Sequence, residues 1–169
     1  MLLGPPDIGD GATLWQLARD SASLDLNSPY SYLLWCRDFA STSVVARVGG
    51  DVAGFVTGYL RPEADDSFVV WQVAVAPSRR NLGLARRMLH HLADRLLPAG
   101  ARFLEATVTP GNEPSMRLFS AFARDRGAHL DRRVLFGAEL FPEGHDPEIL
   151  LRIGPIALPA SQAAAKAAP

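Results

Sequence analysis

The stretch Arg80-Asn81-Leu82-Gly83-Leu84-Ala85 joins an apolar run ending at Val75 to a helix-like pattern, with Arg79, Arg86 and Arg87 close by. A helix that starts directly after a strand presents backbone N–H groups without intrahelical partners, together with the positive end of its dipole. Phosphates bind at such a seam, and a glycine lets them approach the backbone closely. Neither Gly-x-x-x-x-Gly-Lys-Ser/Thr nor Gly-x-Gly-x-x-Gly after a strand occurs, which excludes two familiar phosphate loops. What remains, Arg80-x-x-Gly83-x-Ala85, suits a diphosphate held by main-chain amides. The plainer role for the same residues is a glycine that opens a helix beside solvated arginines.

The elements that must position this seam follow from periodicity. Asp10 is expected to cap a short helix running to about Asp20, with Leu14, Leu17 and Ala18 on one face. Ser28 as N-cap and Pro29 as first helical residue predict a second helix to about Phe39. Thr42 to Val48 and Val52 to Leu60, separated by Gly49-Gly50-Asp51, read as a hairpin. Arg61 to Asp66 reads as a polar loop, and Ser67 to Val75 as a strand covered on both faces. A helix from about Leu82 to Leu97, a strand at Phe103 to Thr109, and a helix from Asn112 to about Arg126 come next. Two late strands are expected around Leu130 to Phe136 and Glu148 to Ile153. The order predicts an α/β or α+β fold with a mixed sheet. One domain over residues 1–154 is expected, followed by an Ala- and Pro-rich tail, 155–169, expected to be disordered.

Bulk properties narrow the function. A formal net charge of -1 offers no global field for nucleic acid or an acidic membrane, so any anion must be held locally. No apolar stretch approaches the roughly 20 residues that span a bilayer, and no signal peptide is read at the start. The single cysteine, Cys36, excludes an internal disulfide, which suits the cytoplasm. Adjacent His90 and His91 diverge on a helix, whereas a metal pair needs i,i+4 spacing, so no metal is expected.

Arg80-x-x-Gly83-x-Ala85 resembles the diphosphate signature of the GCN5-related N-acetyltransferase superfamily. Further segments, Leu24 to Tyr32, Thr42 to Ala46, Gly54 to Tyr59, Phe68 to Val75, Leu104 to Pro110 and Arg152 to Pro155, resemble the diaminobutyrate acetyltransferases of ectoine biosynthesis. The resemblance covers about residues 10 to 155. It implies a central, mostly antiparallel, twisted sheet flanked by helices. It also implies acetyl transfer from acetyl-CoA to the 4-amino group of L-2,4-diaminobutyrate, and a cytoplasmic homodimer. Two departures stand out. The family usually has glycine directly after the signature arginine, where this chain has Asn81, the residue that best tolerates a left-handed backbone after glycine. The first strand is also expected to be truncated or an edge stub.

The resemblance assigns roles residue by residue. Val73, Val75, Arg80, Asn81, Gly83, Leu84, Ala85 and Asn112 are expected to bind the coenzyme. The donor's carbonyl oxygen is expected on a backbone N–H around Val73. The superfamily's usual strand glutamate is replaced by Trp71-Gln72, so Glu105 or a water chain is left as base. Phe119 occupies the position of the superfamily's usual tyrosine acid. Asp25, Trp71, Thr107, His145 and Glu148 are expected to hold the amine substrate. Without the resemblance, Asp25 reads as a solvated acid beside a cap, Trp71 as core, His145 to Glu148 as a polar turn, and Asn112 as an N-cap. Acetylation of another small amine, or silent binding of acetyl-CoA as a sensor, are the alternatives at this level.

Overall fold

The computed structural model describes residues 1–21, 24–142 and 144–157. The chain folds as two compact units, Met1–Leu60 with Val70–Leu92, and Arg61–Val69 with the described residues from Ala93 to Ala157.

In the first unit, β1 (Leu2–Gly4) pairs antiparallel with β2 (Val44–Val48), and β2 pairs antiparallel with β3 (Asp51–Arg61). β1 is a short strand at the edge of the order. The β2–β3 turn is the two residues Gly49 and Gly50, with φ of 66° and 100°. Side chains with a Cβ avoid that conformation, which tight hairpins require. The next strand, β4 (Ala64–Val75), enters this unit at Val70 and completes the order β1-β2-β3-β4. Helices α1 (Gly11–Arg19) and α2 (Pro29–Asp38) bring Leu14, Ala18, Tyr32 and Cys36 into a core with Val45, Phe55 and Ala74. Most of helix α3 (Leu84–Leu96) also lies here.

In the second unit, the start of β4 continues the order β4-β5-β7-β6, with β5 at Phe103–Val108, β6 at Leu130–Phe136 and β7 at Glu148–Ile153. β7 pairs antiparallel with both β5 and β6. Helix α4 (Glu113–Arg126) follows β5 and buries Phe119, Phe122 and Ala123. β6 is the edge strand, and Asp131 to Phe136 are all exposed.

Several boundaries differ from the expectations, each for a local reason. Asp10 does not cap α1. Asp7 caps a single turn at Ile8–Asp10, and the Asp10 carboxylate accepts the Asp7 N–H (2.9 Å) and Arg47 (2.6 Å). Pro29 does open α2, but Ser28 makes no side-chain cap and its Oγ lies 3.2 Å from Ser31 Oγ. The loop expected over 61–66 shrinks to a turn at Pro62-Glu63, because β3 runs to Arg61 and β4 begins at Ala64. β4 is not covered on both faces. Val70, Gln72 and Ala74 are buried while Trp71 is 52% exposed. α3 begins at Leu84, leaving Leu82 exposed before it. The C-terminal tail expected from 155 is still tied down at Ile156, whose side chain is buried and whose N–H donates to Arg102 O (2.7 Å). Residues 158–169 of that tail lie outside the described residues.

Burial of Cys36, with Asp10 and Asp7 nearby, pushes its thiol from about 9 up to about 11. Below pH 9 the thiol is protonated in folded and unfolded chains alike. Between about 9 and about 11 only the unfolded chain releases the proton, so folding stability falls as pH rises. Chemical denaturation of Cys36→Ala should therefore lose less stability than the parent across that window, and parallel profiles would refute the burial effect.

Candidate functional site

After Val75 the chain leaves β4, and the Ala76 N–H donates to Ala53 O (2.9 Å). One turn at Pro77–Arg79 leads to Asn81, whose φ of 62° is left-handed. Asn81 thus takes the conformation for which the sequence suggested it could replace glycine. Gly83 has φ of 72°, and a Cβ built there would meet no atom within 4 Å, so the backbone at this point is open. Gly83 O accepts the Arg87 N–H (3.1 Å), so the N–H groups of Gly83, Leu84 and Ala85 precede the first such bond of α3. Arg80 is exposed and braces the seam, donating from Nε to Val75 O (3.3 Å) and from Nη2 to Asp20 O (3.4 Å). Open amides, an open glycine and an arginine at the rim fit a diphosphate. Leu84 is buried, and Ala85, Val73 and Val75 are half-buried.

The middle of β4 carries a connection that the sequence reading missed. Gln72, only 6% exposed, accepts the Tyr32 hydroxyl on Oε1 (3.0 Å) and donates from Nε2 to the Asp25 carbonyl (2.8 Å). Burial pushes the Tyr32 phenol above its ordinary value, although bonds to Asn27 and Gln72 oppose the shift, so Tyr32 stays a proton donor to Gln72 at neutral pH. A buried amide needs both ends satisfied. Here one end is met by α2 and the other by the segment that carries Asp25. That fixes Asp25, whose residue is exposed, relative to the strand bearing Trp71 and Val73. A glutamine in an apolar strand was the available signal, read only as part of the replacement for the superfamily's strand glutamate.

Trp71 stacks on Trp35 with ring centres 6.2 Å apart and planes 26° off parallel. Trp35 also touches Phe39 (4.7 Å) and Tyr59 (6.4 Å). Trp71 is therefore one wall of an aromatic cluster with half its surface open, not a core residue.

The second unit holds the remaining candidates. Glu105 is buried, and its carboxylate accepts from Arg152 on Oε1 and from Arg61 on Oε2 (3.3 Å). Thr107, one step along the same face of β5, is exposed and pairs in register with Leu150. Glu148 at the start of β7 lies 3.8 Å from His145 Nε2, and the His145 ring stacks on Phe141 (4.5 Å). The structure thus joins His145 to Glu148. Asn112 caps α4 by accepting the Ser115 N–H on Oδ1 (3.1 Å), which leaves its amide nitrogen for another partner. Phe119 is buried. Among the described residues no group of three or more His, Cys, Asp or Glu is placed to hold a metal ion, and no helix is long and apolar enough to cross a membrane.

Residues 12–123 match the acetyltransferase (GNAT) family. The chain is 55% identical over 89% of its length to the L-2,4-diaminobutyric acid acetyltransferase of Streptomyces coelicolor, covering 91% of that protein. It is 52% identical over 92% of its length to the enzyme of the same name from Nocardia farcinica, covering 81% of it. Among solved structures it resembles the diaminobutyrate acetyltransferase of Paenibacillus lautus in complex with its substrate L-2,4-diaminobutyric acid and coenzyme A. The TM-score is 0.86 at 42% identity, covering 91% of this chain and 94% of that one.

Removing the Tyr32 hydroxyl leaves a buried acceptor on Gln72 short of its partner. Tyr32→Phe should lower stability by about 1–3 kcal/mol, seen as a lower urea midpoint at unchanged slope. A midpoint equal to the parent's would show that the bond contributes nothing.

Proposed function

The chain belongs to the acetyltransferase (GNAT) family, among the L-2,4-diaminobutyric acid acetyltransferases, and from that membership we propose that it transfers acetyl from acetyl-CoA to the 4-amino group of L-2,4-diaminobutyrate. The product, N4-acetyl-L-2,4-diaminobutyrate, feeds ectoine biosynthesis. The observation that carries this reading is likeness, along nearly the whole chain, to a structure holding both diaminobutyric acid and coenzyme A.

The chain's own residues divide the work as follows. The amides at Gly83, Leu84 and Ala85, with Arg80 and the left-handed Asn81, hold the diphosphate, and Asn112 contacts the coenzyme through its free amide nitrogen. A backbone N–H of β4 near Val73 receives the developing negative charge of the acetyl carbonyl, and one such donor is worth about 3 kcal/mol. The resemblance assigns Asp25 to the α-ammonium, and Trp71, Thr107, His145 and Glu148 to the amine as well. An alkyl amine with an ordinary pKa of about 10.4 must lose a proton to attack, at a cost of about 4 kcal/mol near pH 7.5. Both oxygens of Glu105 are already engaged by arginines. We therefore give Glu105 the task of holding them and assign proton removal to water. Phe119 offers no proton, and a thiol with pKa near 8.5 leaves without one.

The same reading includes a homodimer in the cytoplasm, where acetyl-CoA is available. Edge strand β6 exposes Val134 (59%), Leu135 (39%) and Phe136 (46%). An uncovered apolar edge invites pairing with a second copy. Phe136→Lys should shift the sedimenting species from dimer to monomer, and a wild-type protein that sediments as a monomer would remove the dimer.

Turnover is read by free-thiol release from acetyl-CoA. Rates with diaminobutyrate well above those with putrescine or lysine are expected. Activity with another amine alone would make the chain an acetyltransferase of different substrate, and coenzyme binding without turnover on any amine would make it a sensor. Gly83→Asp should raise the KM for acetyl-CoA by about tenfold or more while sparing that for the amine. Asp25→Ala should raise the KM for diaminobutyrate by about 10–100-fold, the worth of a hydrogen bond to a charged group. Unchanged constants in either variant would strike that residue from the site.

A further inference from the structure

A cleft of about 410 Å³ opens on the sheet face of the second unit. Its walls carry the side chains of Arg61, Arg133 and Arg152 with two carboxylates, Glu105 and Asp131, among the described residues, while Arg132 lines it only along the strand. Two of the arginines are fixed. Arg152 donates to Glu105 and to Ser67 Oγ (3.1 Å), and its guanidinium carbon lies 3.8 Å above the Phe103 ring centre. Arg61 holds the other Glu105 oxygen. Arg132 turns to the opposite face and reaches Ser120 Oγ on α4 (3.3 Å), and Asp131 lies 2.9 Å from His129 Nε2. Arg133 forms no ion pair among the described residues and is exposed.

Like charges converging in a concave, partly buried site repel unless something negative sits among them. Buried Glu105 neutralises part of the floor, but an excess of one positive charge remains, on the side of exposed Arg133. We infer that this cleft binds a small oxyanion, a carboxylate or a tetrahedral phosphate-like ion, gripped by Arg133 and the outward faces of Arg61 and Arg152. Guanidinium groups offer paired N–H donors that match such anions. Two sources share this chemistry. Leu150, which lines the cleft, is the register partner of Thr107, and Glu148 lies two residues further along β7. The anion is thus either the α-carboxylate of the amine substrate or a free ion. Only the choice between sources rests on the acetyl-transfer reading; the site itself does not.

Calorimetric titration with inorganic phosphate tests the site directly, with coenzyme A at saturation to block the diphosphate seam. The parent should bind phosphate, and Arg133→Gln should weaken binding at least tenfold at an unchanged melting temperature. Kinetics then separates the sources. A KM for diaminobutyrate raised in Arg133→Gln, with that for 1,3-diaminopropane unmoved and phosphate competitive with diaminobutyrate, identifies the substrate carboxylate. Unmoved KM values with phosphate still bound at the cleft identify a free anion. No phosphate binding by the parent, or equal binding by Arg133→Gln, would overturn the site whatever the enzyme acetylates.

Discussion

Burying one carboxamide in the middle of β4 constrains more of the first unit than any other polar contact described. Gln72 cannot lie in an apolar strand with its ends unsatisfied, so Tyr32 and the Asp25 carbonyl must come to it. Satisfying both ends fixes helix α2 and the segment before it against the strand. The alternation of β4 then decides the rest. With Gln72 inward beside Val70 and Ala74, Trp71 is turned outward onto Trp35. A one-residue slip would reverse every one of these directions.

The seam beyond β4 depends on a different economy. Asn81 and Gly83 both adopt left-handed conformations within three residues, which tightens the passage from strand to helix and keeps side chains out of the space before the first turn of α3. Arg80, bonded through Nε and Nη2 to two carbonyls, holds that passage in place. The seam is therefore braced by the chain's own backbone before anything binds.

Much of this was legible in the sequence because it is local. The Gly49-Gly50 turn, Pro29 at the head of α2, Asn112 capping α4, and the strands at 130–136 and 148–153 each follow from residues within a few positions of one another. The left-handed Asn81 was foreseen for the same reason. What was missed depends on partners far along the chain. Tyr32 and Gln72 are forty residues apart, and Arg152 meets Glu105 across forty-seven. No periodicity announces such pairs. The misplaced Asp10 cap shows the same limit at short range, because Arg47, on a distant strand, draws the carboxylate away from α1. Family resemblance could propose Asp25 and Trp71 without showing what aims them.

The three residues of β1 carry a consequence for handling the protein. They occupy the otherwise open side of β2, whose Val44, Val45 and Ala46 are buried. Trimming Met1 to Gly4, or crowding them with a bulky fusion at Met1, would uncover a row of main-chain donors and acceptors on a hydrophobic strand. Such a row recruits other chains indiscriminately. Three residues thus keep this edge of the first unit from sticking to its neighbours.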